Sequence, residues 1–196
     1  MNKDFAFILG NGITRLQVDC KGLLDCGAVY GCNRIYEEFA PTVLVSTDKG
    51  MAHEIQNTGY SSRNIHYVRE QWKINNSGAN ILPKEYAGMS SGPAALGLAS
   101  DTCANYIFLI GMDLKGVNNT INNIYAGTKN YKQKGESPIH FGNWVDQITG
   151  IMQKYPTKRF MHVNPLDNFT DDKFLKFENF ETINLAEFKG MINNTS

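Results

Sequence analysis

Gly10-Asn11-Gly12 closes a five-residue apolar run, Phe5-Ala6-Phe7-Ile8-Leu9. Two glycines around an asparagine permit positive φ and let a ligand approach the backbone closely. At the carboxyl end of a first strand, such a turn is a place where phosphates are gripped. It is not a dinucleotide fingerprint, because Arg15 stands where the third glycine would be, nor a P-loop, because no Gly-Lys-Ser/Thr follows. Three further stretches carry chemistry of the same kind. Asn33 ends the run Ala28–Cys32 with an amide that can pair with a base or a ribose. Ser90-Ser91-Gly92-Pro93 is a helix start, with hydroxyls to cap it and proline in the first turn, and its N–H groups suit a phosphate. Asp113 follows the most convincing strand, Tyr106–Ile110.

The elements that must position these residues alternate. Strands are expected at Phe5–Leu9, Ala28–Cys32, Thr42–Ser46, Asn64–Val68, Tyr106–Ile110 and Phe160–Val163, with Ile183–Leu185 and a short helix to Met191 closing the chain. Ile13 to Leu24 reads as a short helix or extended loop capped by Thr14. Thr47-Asp48 reads as a cap for a helix from Lys49 to about Asn57, and Trp144 to Tyr155 as an amphipathic helix. Arg69 to Met89 has no clear period and reads as an excursion over the surface. Residues 115–138 form a loop too long to be a mere connection, expected to act as a lid. Strands alternating with helices give an α/β, Rossmann-like fold, a largely parallel sheet with helices on both faces. At 196 residues, with no repeat and no convincing linker, the chain (1–196) is expected to be a single nucleotide-binding domain. In such a sheet the strand ends share one edge, and Gly10, Asn11, Gly12, Asn33, Ser90, Ser91, Gly92 and Asp113 should meet there.

Nineteen basic and nineteen acidic residues cancel, so no nucleic-acid footprint is visible. No apolar run is long enough to span a membrane and no signal peptide opens the sequence; a cytoplasmic location is expected. Cys20, Cys26, Cys32 and Cys103 lack metal-site spacing and read as free thiols, so no metal site is expected. His66 and His162 fall within strands and read as structural, His53 as an exposed helix residue.

In order along the chain, Gly10-Asn11-Gly12, Cys32-Asn33-x-x-Tyr36, Ser90-Ser91-Gly92, Ile107–Asp113, Tyr125, His140 and Asn164-Pro165 resemble the bacterial sialyltransferases of glycosyltransferase family 42. They also resemble a wider set of sialyltransferase-like and pyrophosphokinase-like domains. The resemblance implies a Rossmann-like domain, a CMP-sialic-acid-like donor and no metal or other cofactor. It implies that Asn11, Asn33, Ser91, Gly92 and Asp113 hold the nucleotide, that Tyr125 bonds the departing phosphate, and that His140 is the base on the acceptor hydroxyl. Where the family has a second tyrosine just after the aspartate, Leu114-Lys115 stands here, and the lysine offers a charge in its place.

The expected activity is that of a metal-independent glycosyltransferase. Its partners would be a nucleotide sugar and a small or glycan acceptor, with homo-oligomer formation left open. Two alternatives stand beside it: a nucleotide-binding module without catalysis, and a pyrophosphokinase-like enzyme holding Mg²⁺ on carboxylates such as Asp48 and Asp113.

Overall fold

In the computed structural model, which describes residues 4–193, one sheet of eight strands runs through the molecule, every pair parallel. The strands are β1 (Phe5–Leu9), β2 (Ala28–Cys32), β3 (Val43–Ser46), β4 (His66–Val68), β5 (Asn80–Ile81), β6 (Tyr106–Ile110), β7 (Arg159–Val163) and β8 (Phe180–Ile183). Their order is β5-β4-β3-β2-β1-β6-β7-β8. The chain therefore builds outward from β1 to one edge, then returns to the other side of β1 and builds outward again. The reversal lies between β1 and β6, the point at which open parallel sheets bind ligands.

The apolar run of β1 is buried on both faces, as a central parallel strand requires. Ala6 and Ile8 face one layer, formed by α3 (Ser91–Ser100) and α4 (Gly142–Lys154). Phe5, Phe7 and Leu9 face the other, where they meet α1 (Leu23–Cys26), α2 (Lys49–Asn57) and α5 (Leu185–Asn193) through Leu23, Met51, Ile55 and Phe188. Phe7 stacks on Phe108 of β6, with ring centroids 5.3 Å apart. The small residues of α3 admit close neighbours: a Cβ at Gly97 would come 2.5 Å from the Tyr86 ring.

Several local expectations need correction. The stretch Arg69–Met89 is not a mere surface excursion: it contains β5, and Ala79, Leu82 and Tyr86 are buried. Its burials come from separate turns, so no period shows in the sequence. Thr14 does not cap the turn at Ile13–Gln17, because its hydroxyl is drawn to Asp113. The last strand begins at Phe180, before the expected Ile183. His53 is half-buried, set edge-on to Trp72. Among the described residues no helix is long and apolar enough to cross a membrane.

Candidate functional site

The turns after β1 and β6 lock together. Gly10 N donates to Ile110 O at 2.8 Å and Gly12 N to Gly111 O at 2.7 Å. A Cβ at Gly10 would collide with the Gly111 carbonyl oxygen, and one at Gly12 with the Asp113 carboxylate. Gly111 has φ +66°, so glycine is needed there for the backbone itself. Asp113, 3% exposed, is held by three donors: Thr14 N at 3.2 Å, the Thr14 hydroxyl, and Asn122 Nδ2 at 2.8 Å.

Two strands away, Asn33 adopts φ 53° and its Oδ1 accepts from the Ser91 hydroxyl at 3.2 Å. Ser91 Oγ also accepts from Thr47 N and pairs with the Thr47 hydroxyl, both at 3.0 Å. The Ser90 hydroxyl accepts the Trp144 indole N–H at 2.8 Å. Both serine hydroxyls are thus turned outward, and neither caps α3, contrary to expectation. A ten-residue helix therefore presents its positive end without a side-chain cap.

Gly10, Asn11, Gly12, Asn33, Ser90, Ser91, Gly92 and Asp113 all line one cavity of about 350 Å³ at this edge. Asp48, Met112, Lys115, Asn122, Asn130, Tyr131, Lys132, Ile139, Phe141 and Trp144 line it too. Gly92 keeps it open: a Cβ there would come 2.6 Å from the Met112 methyl. Cys32, also in the wall, is wholly buried, which pushes its thiol up to about 12 and leaves it inert.

The segment between β6 and α4 is stitched to the sheet edge and forms a wall. Ile124 N donates to Asn11 O at 2.8 Å, Ile13 N to Asn122 Oδ1 at 2.9 Å, and Asn130 Nδ2 to Glu54 at 3.0 Å. Two buried arginines clamp it. Arg15, 2% exposed, donates to Glu38 at 2.6 Å, to the Tyr125 hydroxyl at 2.8 Å and to Gly10 O at 3.2 Å. Arg34 donates to Glu54 at 2.7 Å and to Lys129 O at 3.1 Å, and lies over the Tyr131 ring. The residue that spoils a dinucleotide fingerprint is thus a bolt between the glycine turn and the wall.

The two expected catalytic residues lie outside the cavity lining. The Tyr125 hydroxyl is committed: it accepts from Arg15 and donates to Glu38, and burial raises its pKa. His140 is exposed; it stands between the lining residues Ile139 and Phe141 with its ring against Gly142. The buried histidines are elsewhere. His66 bridges the Ser46 and Ser61 hydroxyls at 2.5 and 2.8 Å, and burial lowers its pKa to about 4. Burial likewise lowers His162 to about 4, against the opposing charge of Asp113. Among the described residues no cluster of three His, Cys, Asp or Glu side chains is placed to hold a metal ion.

The sequence did not single out Lys132, Asn122, Asn130, Phe141 and Trp144 as site residues. They come from the loop and the start of α4, where no strand end signals a site. No family model, curated protein or solved structure matches the chain.

Proposed function

We propose that the protein is a metal-independent glycosyltransferase that binds a cytidine-nucleotide sugar at the carboxyl edge of its sheet. The observation that carries this reading is the convergence of the eight expected nucleotide contacts, drawn from three strand ends and one helix start, on a single cavity. The nucleotide phosphate sits on the uncapped start of α3, with the N–H groups of Ser91 and Gly92 directed at it. Lys115 and Lys132 lie in the same walls and balance its charge. Asn33 and Asn11 provide amides for the base and ribose.

In the transfer step the acceptor hydroxyl oxygen attacks the anomeric carbon as the bond from that carbon to the phosphate oxygen breaks. The bonding pair leaves with the nucleotide, and the acceptor proton passes to His140. Lysines and helix N–H groups stabilise the charge developing on the phosphate. His140 stands between Ile139 and Phe141, which line the cavity, and reaches the acceptor by rotation of its own side chain. Tyr125 serves through Arg15, holding the guanidinium against Gly10 O and so fixing the turn under the nucleotide. Both Asp113 oxygens are taken by Thr14 and Asn122, which favours this reading over one that needs Asp113 as a magnesium ligand.

A second reading, a nucleotide-binding module without turnover, is favoured by the position of His140 and Tyr125 outside the lining. Turnover of a CMP-linked sugar separates the two. Transfer by the parent that falls about 10²–10⁴-fold in His140→Ala, with CMP affinity kept, is the glycosyltransferase result. CMP binding with no transfer to any acceptor is the binding-module result.

A further inference from the structure

The cavity has two unlike ends. Along the sheet edge the order β3-β2-β1-β6 sets Asp48 and Asn33 on one side of Asn11, and Gly111–Lys115 on the other. α3 lies over β1, β2 and β3 with α4 beside it, and its first turn is tied to Thr47 and Asn33 through Ser91 and lies against Met112 at Gly92. Ser91 and Gly92 are therefore central. On the β2–β3 side the polar groups Asn33, Asp48 and Asn130 stand with Met51 and Tyr131. On the β6–α4 side Lys115 and Asn122 stand beside a larger apolar group, Met112, Ile139, Phe141, Trp144 and Ile148.

The apolar end is a built surface. Phe141 and Trp144 pack as a tilted pair with centroids 5.4 Å apart. The indole is fixed in orientation by its N–H bond to Ser90 Oγ at 2.8 Å, and Ser90 N donates to Gln147 Oε1 at 2.9 Å. The aromatic platform and the helix start are thus held to one another as a unit. Ile139 extends the platform and is 40% exposed, so that apolar surface is open at this end of the cavity.

We propose that Trp144, with Phe141 and Ile139, is the platform for the sugar half of the donor, packing against the apolar C–H face of its ring. This rests on the reading of the cavity as a nucleotide site. A phosphate on Ser91 and Gly92 with its base toward Asn33 leaves only the α4 side for the group that the phosphate carries. Aromatic rings are well matched to such a face: they bury a large area at low entropy cost and keep a polar handle. Trp144 is then a specificity residue, selecting donors by the sugar and indifferent to the nucleotide.

The chain has two tryptophans, so Trp72→Phe leaves Trp144 as the only indole. In that protein, CMP and CMP-N-acetylneuraminic acid are titrated separately, with calorimetry for affinity and tryptophan emission as the local probe. Both ligands should bind, with emission shifted by the nucleotide sugar and little changed by CMP. Trp144→Ala should weaken the nucleotide sugar about tenfold and CMP less than about twofold. Ile139→Ser, at an exposed site, should weaken the nucleotide sugar about threefold and decides the matter if Trp144→Ala fails to fold. Equal emission changes from both ligands, or unaltered nucleotide-sugar affinity in these variants, would overturn the platform while leaving the nucleotide site standing. Failure of the parent to bind CMP at all would overturn the nucleotide reading and the platform with it.

Discussion

Gly12 N donates to the Gly111 carbonyl oxygen at 2.7 Å, so the turns that follow β1 and β6 form one structure across the point where strand order reverses. Neither turn can shift without the other. The loop segment bearing Asn122 and Ile124 is bonded to this junction.

Gly10→Ala should therefore be costly for stability. Its methyl meets backbone at Gly111, which cannot rotate away as a side chain would. A loss of roughly 1–3 kcal/mol by urea denaturation is expected. Gly88, with nothing within 4 Å of a Cβ, is the control, and Gly88→Ala should stay within about 0.5 kcal/mol of the parent. Equal stability of the two variants would contradict the interlocked turns.

Asp113→Ala removes the acceptor of Thr14 N, the Thr14 hydroxyl and Asn122 Nδ2. Donors stranded in a buried site should cost roughly 1–3 kcal/mol and weaken CMP binding through the displaced turn. A variant as stable as the parent would show that the carboxylate is not needed to hold Thr14.

Acid should destabilise the protein through its buried histidines. His66 and His162 have folded pKa values near 4, below the ordinary value of 6.5, because burial disfavours the charged ring. The unfolded chain takes up these protons first, so the stability is fully present above about pH 6.5 and is lost as pH falls toward 4. Each histidine contributes roughly 3 kcal/mol to that loss. His66→Gln should show a smaller fall between pH 7 and 4.5 than the parent, whatever its stability at pH 7. Parallel pH profiles would refute the assignment.

Much of this fold was legible because its strands are short apolar runs closed by glycine, asparagine or aspartate. Phe5–Leu9 and Tyr106–Ile110 have the length and apolar content of buried parallel strands, which they are, and the residues that follow them line the cavity. β5 was not legible, because two exposed residues, Asn80 and Ile81, carry no pattern. The meeting of Gly10–Gly12, Asn33, Ser90–Gly92 and Asp113 in one cavity was legible for the same reason as the strands. The roles of Arg15 and Trp144 were not: each depends on a partner distant in sequence, Tyr125 for one and Ser90 for the other. Nor did the serines at 90 and 91 behave as caps, since Trp144, Thr47 and Asn33 compete for their hydroxyls.

Tyr125→Phe removes one acceptor from Arg15 and one donor from Glu38. The junction is partly exposed, so a loss of about 1 kcal/mol is expected, with CMP affinity within about twofold of the parent. A large drop in transfer rate at unchanged stability would instead place the hydroxyl on the leaving phosphate.

The central claim is that the uncapped start of α3 and the glycine turn of β1 hold a nucleotide phosphate without metal. Calorimetric titration of CMP into the parent and into Gly92→Val, each with and without Mg²⁺, tests it most directly. The branched side chain would enter the space between α3 and the Met112 methyl, a flexible neighbour, so the fold should survive while the phosphate seat is filled. Binding by the parent that is indifferent to Mg²⁺, weakened at least about tenfold in Gly92→Val with a much smaller change in stability, is the predicted result. CMP binding that requires Mg²⁺, or equal affinity in the two proteins, would contradict the account.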